Sequence, residues 1–290
     1  MDNSKLDLLN QKDGINQEVT NNDLGYFKVN VKNLPSKGLF YPEDVSISVK
    51  PAGVKEIRHW SMIDESDEYS FVQAIDFILG RCVLVKTPKR ILSINDLCEV
   101  DRLYLIFTIR EYTFNDAKNQ VFIDVPYIFA NQEYKDSVTI TKESLKYFNI
   151  PEKIMTFYDA NKRAFIIGNE RQFELRLPTI GVSNWIQNYV KKRMQQNKPF
   201  DEFFSKASLF LMADYNMSDQ EYFNAETESQ AWSIEDISNI DRFTQALSKC
   251  ATDGFTHKTE KGGVEVTVPL MFRHGVKSIF LISNILDELG

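Results

Sequence analysis

Two periods of apolar residues alternate along this chain. In YFKVNVKNL, Phe27, Val29 and Val31 alternate with polar residues, and in VSISVK, Val45, Ile47 and Val49 alternate with Ser46, Ser48 and Lys50. Alternation of this kind predicts strands with one buried face. Between them lies NLPSKGLFYPED, Asn33 to Asp44, which carries Pro35, Gly38 and Pro42. A proline pre-sets φ for the first central position of a turn and a glycine can leave it at positive φ, so this stretch predicts a turn leading into a first hairpin. It lacks the Lys-Ser/Thr step that a phosphate-binding loop needs. Phe40 and Tyr41 in the turn, and Trp60 just past the first strand, are large rigid rings. They are candidate interface anchors, unless they pack the turn against its own domain.

The period then lengthens. In DEYSFVQAIDFILGRCVLV, residues Phe71, Ile75, Ile78, Leu79 and Cys82 fall on one helical face. Thr87-Pro88 forces an extended break. The next stretch, SINDLCEVDRLYLIFTIREYTF, reads as a second helix with Ser93 as cap and a stripe of Leu97, Val100, Tyr104 and Phe107. Leu103, Ile106 and Ile109 widen that stripe, so the helix should be covered on more than one side. Strand patterns return in NQVFIDVPYIF, in DSVTITKESL and in RAFIIGNERQFELRLPTIG, where Phe173, Leu175 and Leu177 alternate with charged residues. Beyond Val182 the period is helical again: Trp185, Ile186, Tyr189 and Val190 behind Ser183, then Phe200, Phe203, Phe204, Ala207 and Leu211 in a helix starting at Pro199. A further helix opens at Ser233 and Asp236, with Ile237, Ile240, Phe243 and Leu247 inside. GGVEVTVPL predicts a strand and VKSIFLISNILDELG a terminal helix.

The pattern therefore predicts an α+β protein: an N-terminal β-hairpin with a helical pair, then short strands, then a C-terminal helical region with a closing strand and helix. Residues 1–25 are polar and read as a flexible arm that orders on a partner. Residues 26–115 form the hairpin and helix-pair unit, 116–181 a strand-rich module, and 182–290 the mostly helical region.

Composition narrows the function. The net charge of −7 weighs against general nucleic-acid or anionic-membrane binding. The first residues have no basic flank leading into an apolar core, so no signal peptide is expected, and no apolar run approaches the ~18 residues of a membrane span. Cys82, Cys98 and Cys250 lack paired spacing and read as small buried hydrophobes in predicted helices, in a reducing compartment. His59, His257 and His274 are scattered, and no cysteine or carboxylate holds ligand spacing beside them. Asp64, Glu65, Asp67 and Glu68 suit a helix start, and KKRMQQNK at 191–198 suits a helix end. No catalytic signature is present. The residues alone imply no enzyme, no cofactor and no metal site.

The ordered combination goes further. NLPSKGLFYPEDVSISVKPAGVKEI, then FVQAIDFILGRCV, then INDLCEVDRLYLIFTIREYTF resembles the baseplate hub subunit family of T-even-like contractile-tailed phages. In that family a Leu-Pro-Ser-x-Gly-x-x-Tyr-Pro opening precedes an alternating strand and a Lys-Glu-Ile step, here Lys55, Glu56 and Ile57. A helix ending near Cys-Val follows, then a Leu-x-x-x-Asp-Arg helix, here with Leu97, Asp101, Arg102, Arg110 and Tyr112. The likeness covers about residues 27–115. It implies a non-enzymatic role in tail morphogenesis, with tape-measure, hub or tube proteins as partners and a homo-oligomer within the baseplate as one arrangement. It also implies residence in the host cytoplasm during assembly or in the virion's tail baseplate. Relatives carry a cysteine-bearing, metal-binding-looking strand module after the helix pair. Here VFIDVPYIFANQEY has no cysteine, and neither has the later GFTHKTEKGGVEVTVPL, so apolar packing must replace the metal. Two other classes stay open: an enzyme with a composite site using Asp101, Arg102 and Arg110, and a DNA-binding regulator using the helices over 182–213.

Overall fold

The computed structural model describes residues 25–64, 68–114, 121–140, 149–250, 256–269 and 279–280. The predicted arm and most of the predicted terminal helix lie outside these residues. The fold is α+β. Strands β1 (Phe27–Val29) and β2 (Ser46–Val49) pair antiparallel as the predicted hairpin, with Val29 opposite Ile47. The sheet does not stop there. Helices α1 (Val54–Ser61) and α2 (Glu68–Cys82) lead into β3 (Val83–Lys86), which pairs with the other edge of β2, and β4 (Ile91–Leu92) closes a four-stranded sheet in the order β1-β2-β3-β4. β2 is thus an inner strand, and Ser48 is buried along with Ile47 and Val49. The α2 stripe is buried at Ile75, Ile78, Leu79 and Cys82, as its period predicts.

The second predicted helix is shorter than its pattern. Ser93 caps a single 3-10 turn, Ile94–Asp96, by accepting from the Asn95 N–H, and a second such turn spans Glu99–Asp101. Helix α3 begins only at Arg102 and runs to Thr113. Six consecutive residues in it, Leu105 to Arg110, are buried, which on a helix means cover on every side. The sheet and α2 form part of that cover. Ile279 and Phe280, from the far end of the chain, form another part: the Arg110 Nε–H donates to the Ile279 carbonyl at 2.7 Å, and Phe280 stacks edge-on to Trp60.

The following stretch forms a long hairpin, β5 (Val121–Phe129) and β6 (Gln132–Ile140), closed by Ala130 and Asn131, both at positive φ. β10 (Thr256–Lys261) and β11 (Val264–Pro269) form a second hairpin closed by Gly262 and Gly263. The two cysteine-free modules pack together, with the Lys261 ammonium over the Tyr134 ring and Val125, Tyr127 and Val268 buried. Between them come α4 (Glu152–Met155) and a three-stranded sheet of β7 (Tyr158–Asp159), β8 (Ala164–Ile167) and β9 (Phe173–Leu175), with Phe173, Leu175 and Leu177 buried as their alternation predicts.

Four helices complete the fold: α5 (Ile180–Gln195), α6 (Glu202–Leu211), α7 (Asp219–Ser229) and α8 (Ile234–Ser248). α5 is capped by Thr179 rather than at Ser183, and α6 by Asp201 rather than at Pro199. The Ser233–Asp236 capping box of α8 is as predicted. One apolar cluster draws residues from all three stretches, 26–115, 116–181 and 182–290; a smaller one holds Val182, Ile186, Tyr189, Phe204 and Tyr222. Among the described residues no helix is long and apolar enough to cross a membrane.

The entrance turn shows why its glycine is required. Lys37 and Gly38 both lie at positive φ, +56° and +74°, and a Cβ on Gly38 would stand 2.6 Å from a methyl of Val31. Gly38→Ala should therefore lower stability by about 1–2 kcal/mol. Lys37→Gly, which relieves the same backbone strain, should leave stability unchanged or raise it by up to ~1 kcal/mol. Urea unfolding of the three proteins checks both, and a Gly38→Ala variant as stable as the parent would contradict the account.

Candidate functional site

Pro35 sits at the first central position of a turn closed by the Lys37 N–H to the Leu34 carbonyl, and Pro42 opens a second turn closed by the Val45 N–H. Both serve one buried carboxylate. Asp101 is fully buried and accepts from the Ser36 N–H at 2.8 Å, the Ser36 hydroxyl at 2.7 Å and the Tyr41 hydroxyl at 2.7 Å. Tyr41 in turn accepts from the Cys98 N–H at 2.9 Å. Next to that contact, Cys98 and Thr179 form a β-bridge, and the Ile180 N–H donates to the Leu97 carbonyl, so the start of α5 is fixed to the same point. The entrance turn, the approach to α3 and the start of α5 converge on Asp101.

This placement corrects the interface reading. Tyr41 is 3% exposed and Trp60, which lies within α1, is 1% exposed. Phe40 is partly buried and packs against Tyr158 and Phe165. Tyr41 and Trp60 belong to the core and offer no free face to a partner, while Phe40 packs on one side and keeps part of its ring exposed.

Asp101, Arg102 and Arg110 do not converge either. Arg102 turns away from Asp101 to Asp76 and Glu99, each at 3.2 Å, and the Ser183 hydroxyl donates to the other oxygen of Glu99. Arg110 reaches the Ile279 carbonyl. The three side chains serve three separate contacts. Cys82 ends α2, whereas Cys98 and Cys250 lie outside the helices predicted to hold them; all three thiols are free and buried. Arg193, from the basic run, donates to the Pro199 carbonyl, and Lys192 pairs with Asp219, so the run finishes a helix and links it to α7. Among the described residues no group of three or more His, Cys, Asp or Glu could hold a metal ion.

Among the described residues a concavity lies away from these side chains. A cleft of about 540 Å³ opens where the end of α6, the Met212–Met217 linker and α7 meet. Its wall is apolar: Phe204, Leu211, Met212, Met217, Tyr222, Ala225 and Trp232. Behind it Tyr222 packs on Trp185, Tyr189 and Phe204, and Trp232 packs on Phe173 and Phe204. Two polar atoms lie buried behind the wall. Tyr222 faces the Ser205 and Ser208 hydroxyls, and burial raises its pKa, yet neither the Tyr222 hydroxyl nor Ser208 Oγ has a partner within bonding geometry. Asp214, Glu221 and Glu228 stand at the rim. The signal for α7 was present as the Ser218-x-x-Glu221 capping box, which the structure forms in full.

Comparison of the chain with family models, characterised proteins and solved structures returns no match.

The Asp101 centre generates a stability test and a pH test. Asp101→Ala leaves three donors unpaired inside the protein and should cost about 3 kcal/mol or more, while Tyr41→Phe should cost about 1–3 kcal/mol. Burial raises the Asp101 carboxyl from 3.8 to about 6, with Tyr41 and Ser36 pulling the other way. The folded protein then binds this proton more tightly than the unfolded chain. The resulting stabilisation is complete below about pH 4 and is lost as pH rises through about 6. Relative to Asp101→Asn, the wild-type protein should lose on the order of 3 kcal/mol between pH 4 and 7. Urea unfolding of both proteins across that range checks the sign, and a difference that grows with pH would refute it.

Proposed function

We propose that this protein acts in the assembly of a contractile phage tail, at or near the baseplate hub, by recognising other tail proteins rather than by bond chemistry. The observation that supports this reading is the mutual dependence of the residues that carry the family resemblance. Ser36 and Tyr41 belong to the Leu-Pro-Ser-x-Gly-x-x-Tyr-Pro opening and Asp101 to the Leu-x-x-x-Asp-Arg step. These stretches lie 60 residues and more apart in sequence, yet they close on one another through three hydrogen bonds. A combination whose members need each other physically carries more weight than its separate pieces. The divergence of Asp101, Arg102 and Arg110 removes the geometry on which the composite-site alternative relied.

Co-expression of the full chain with the tape-measure, tube and hub proteins encoded beside it tests the proposal. The expected outcome is a soluble complex with at least one of them that survives size-exclusion chromatography. Failure to hold any of the three, together with retention of random duplex DNA or turnover of a small molecule, would replace the assembly reading with one of its rivals.

A further inference from the structure

We infer that the cleft between α6 and α7 is a docking site for a basic, amphipathic helical segment of a partner protein. This inference rests on the reading of the protein as a recognition component, and not on the tail assignment. Charge carries it. From Ala207 to Asp241 the chain has eight acidic residues and no Lys, Arg or His, although with 34 Lys and Arg in 290 residues a stretch of that length would ordinarily hold about four. This stretch builds the end of α6, the linker and α7, the elements that line the cleft, and runs on into α8.

Some of these acids have internal duties. Glu226 is buried and accepts the Asp201 N–H, Asp219 pairs with Lys192, and Glu221 and Asp236 complete capping boxes. Asp214 and Glu228 stand exposed at the rim, with no cation from their own stretch to neutralise them. Below that rim the wall is apolar and includes Met212 and Met217, side chains flexible enough to shape themselves around an inserted group. The cleft is large enough for one or two large apolar side chains. An occupant that satisfies both features places an apolar anchor in the cleft and Lys or Arg one helical turn to either side. A nucleic acid or a fatty-acid carboxylate would instead meet like charge at the rim.

Fluorescence anisotropy with three synthetic peptides tests the inference: an amphipathic Leu/Lys helix, its scrambled isomer, and a Leu/Glu helix of the same pattern. The Leu/Lys helix should bind about tenfold or more tighter than either control, with an affinity that falls as salt rises. Charge reversal at exposed positions, Asp214→Lys with Glu228→Lys, should weaken it by about tenfold. Ala225→Trp, which fills the cleft, should abolish binding, and circular dichroism confirms that each variant is folded. If Ala225→Trp does not fold, the exposed charge reversal decides alone. Equal binding of the scrambled peptide, equal binding of the Leu/Glu helix, or unchanged binding by the charge-reversed protein would each overturn the inference. Peptide binding without any tail complex would defeat the tail assignment and leave the docking site standing. A tail complex that is indifferent to the charge reversal and to Ala225→Trp would do the reverse.

Discussion

A single carboxylate with no access to water organises this molecule. Removing an anion from solvent is costly, and that cost is met only where donors converge on it. Asp101 finds three, from Ser36 and Tyr41, and Tyr41 passes the contact on to the Cys98 backbone. The long connection between β1 and β2 would otherwise be held by turns of its own. The carboxylate ties that connection to the first turn of the central helix and, through Cys98 and Thr179, to the start of α5. Because Asp101 precedes Arg102 directly, the same backbone step sends one side chain into the turn and the next to Asp76 and Glu99. Neither direction is free to change without leaving a charge unpaired.

Periodicity made the long elements legible and failed where length or context overrode it. The α2 stripe and the alternation at Phe173, Leu175 and Leu177 stand as their spacing requires. Val83–Lys86 reads as a continuation of α2 because its apolar residues follow without a break, but β2 has a second edge that must be paired, and these four residues pair it. α1 is short and hidden behind Pro51. α7 is polar on most of its surface and buries only Tyr222, Glu226 and Ser229, so no stripe marks it. Asp101 was legible as a motif member, but its role was not, since its partners lie 60 and 65 residues away. Phe40, Tyr41 and Trp60 read as candidate anchors because large rings near a turn suit either an interface or a core, and sequence does not separate the two. No sequence pattern marks the cleft, because its wall is assembled from helix, linker and helix.

The two apolar clusters divide the labour. The larger one joins the four-stranded and three-stranded sheets, α2 and α3 with residues of both hairpins, α6 and α8, while the smaller one lies under the cleft and is built largely from aromatic rings. Phe204 and Trp232 lie between them, and the Arg176 N–H donates to the Phe210 carbonyl, linking the strand layer to the end of α6. Local opening in a protein is easiest where fewest apolar contacts must be broken. The smaller cluster can therefore adjust to an occupant while Asp101 keeps the rest of the fold in register.

The contact between Arg110 and Ile279 spans 169 residues of chain. A ribosome adds about 5–20 residues per second, so roughly ten to thirty seconds of elongation separate the emergence of α3 from that of the segment that covers it. Throughout that interval Trp60, Phe114 and the Arg110 guanidinium form an open seam on the nascent chain, to be closed by Phe280. Completion of the core thus reports completion of synthesis up to that residue. A product released early would display an apolar strip with a buried-type cation beside it, a surface suited to chaperone capture, and would be distinguishable by quality control from a finished subunit.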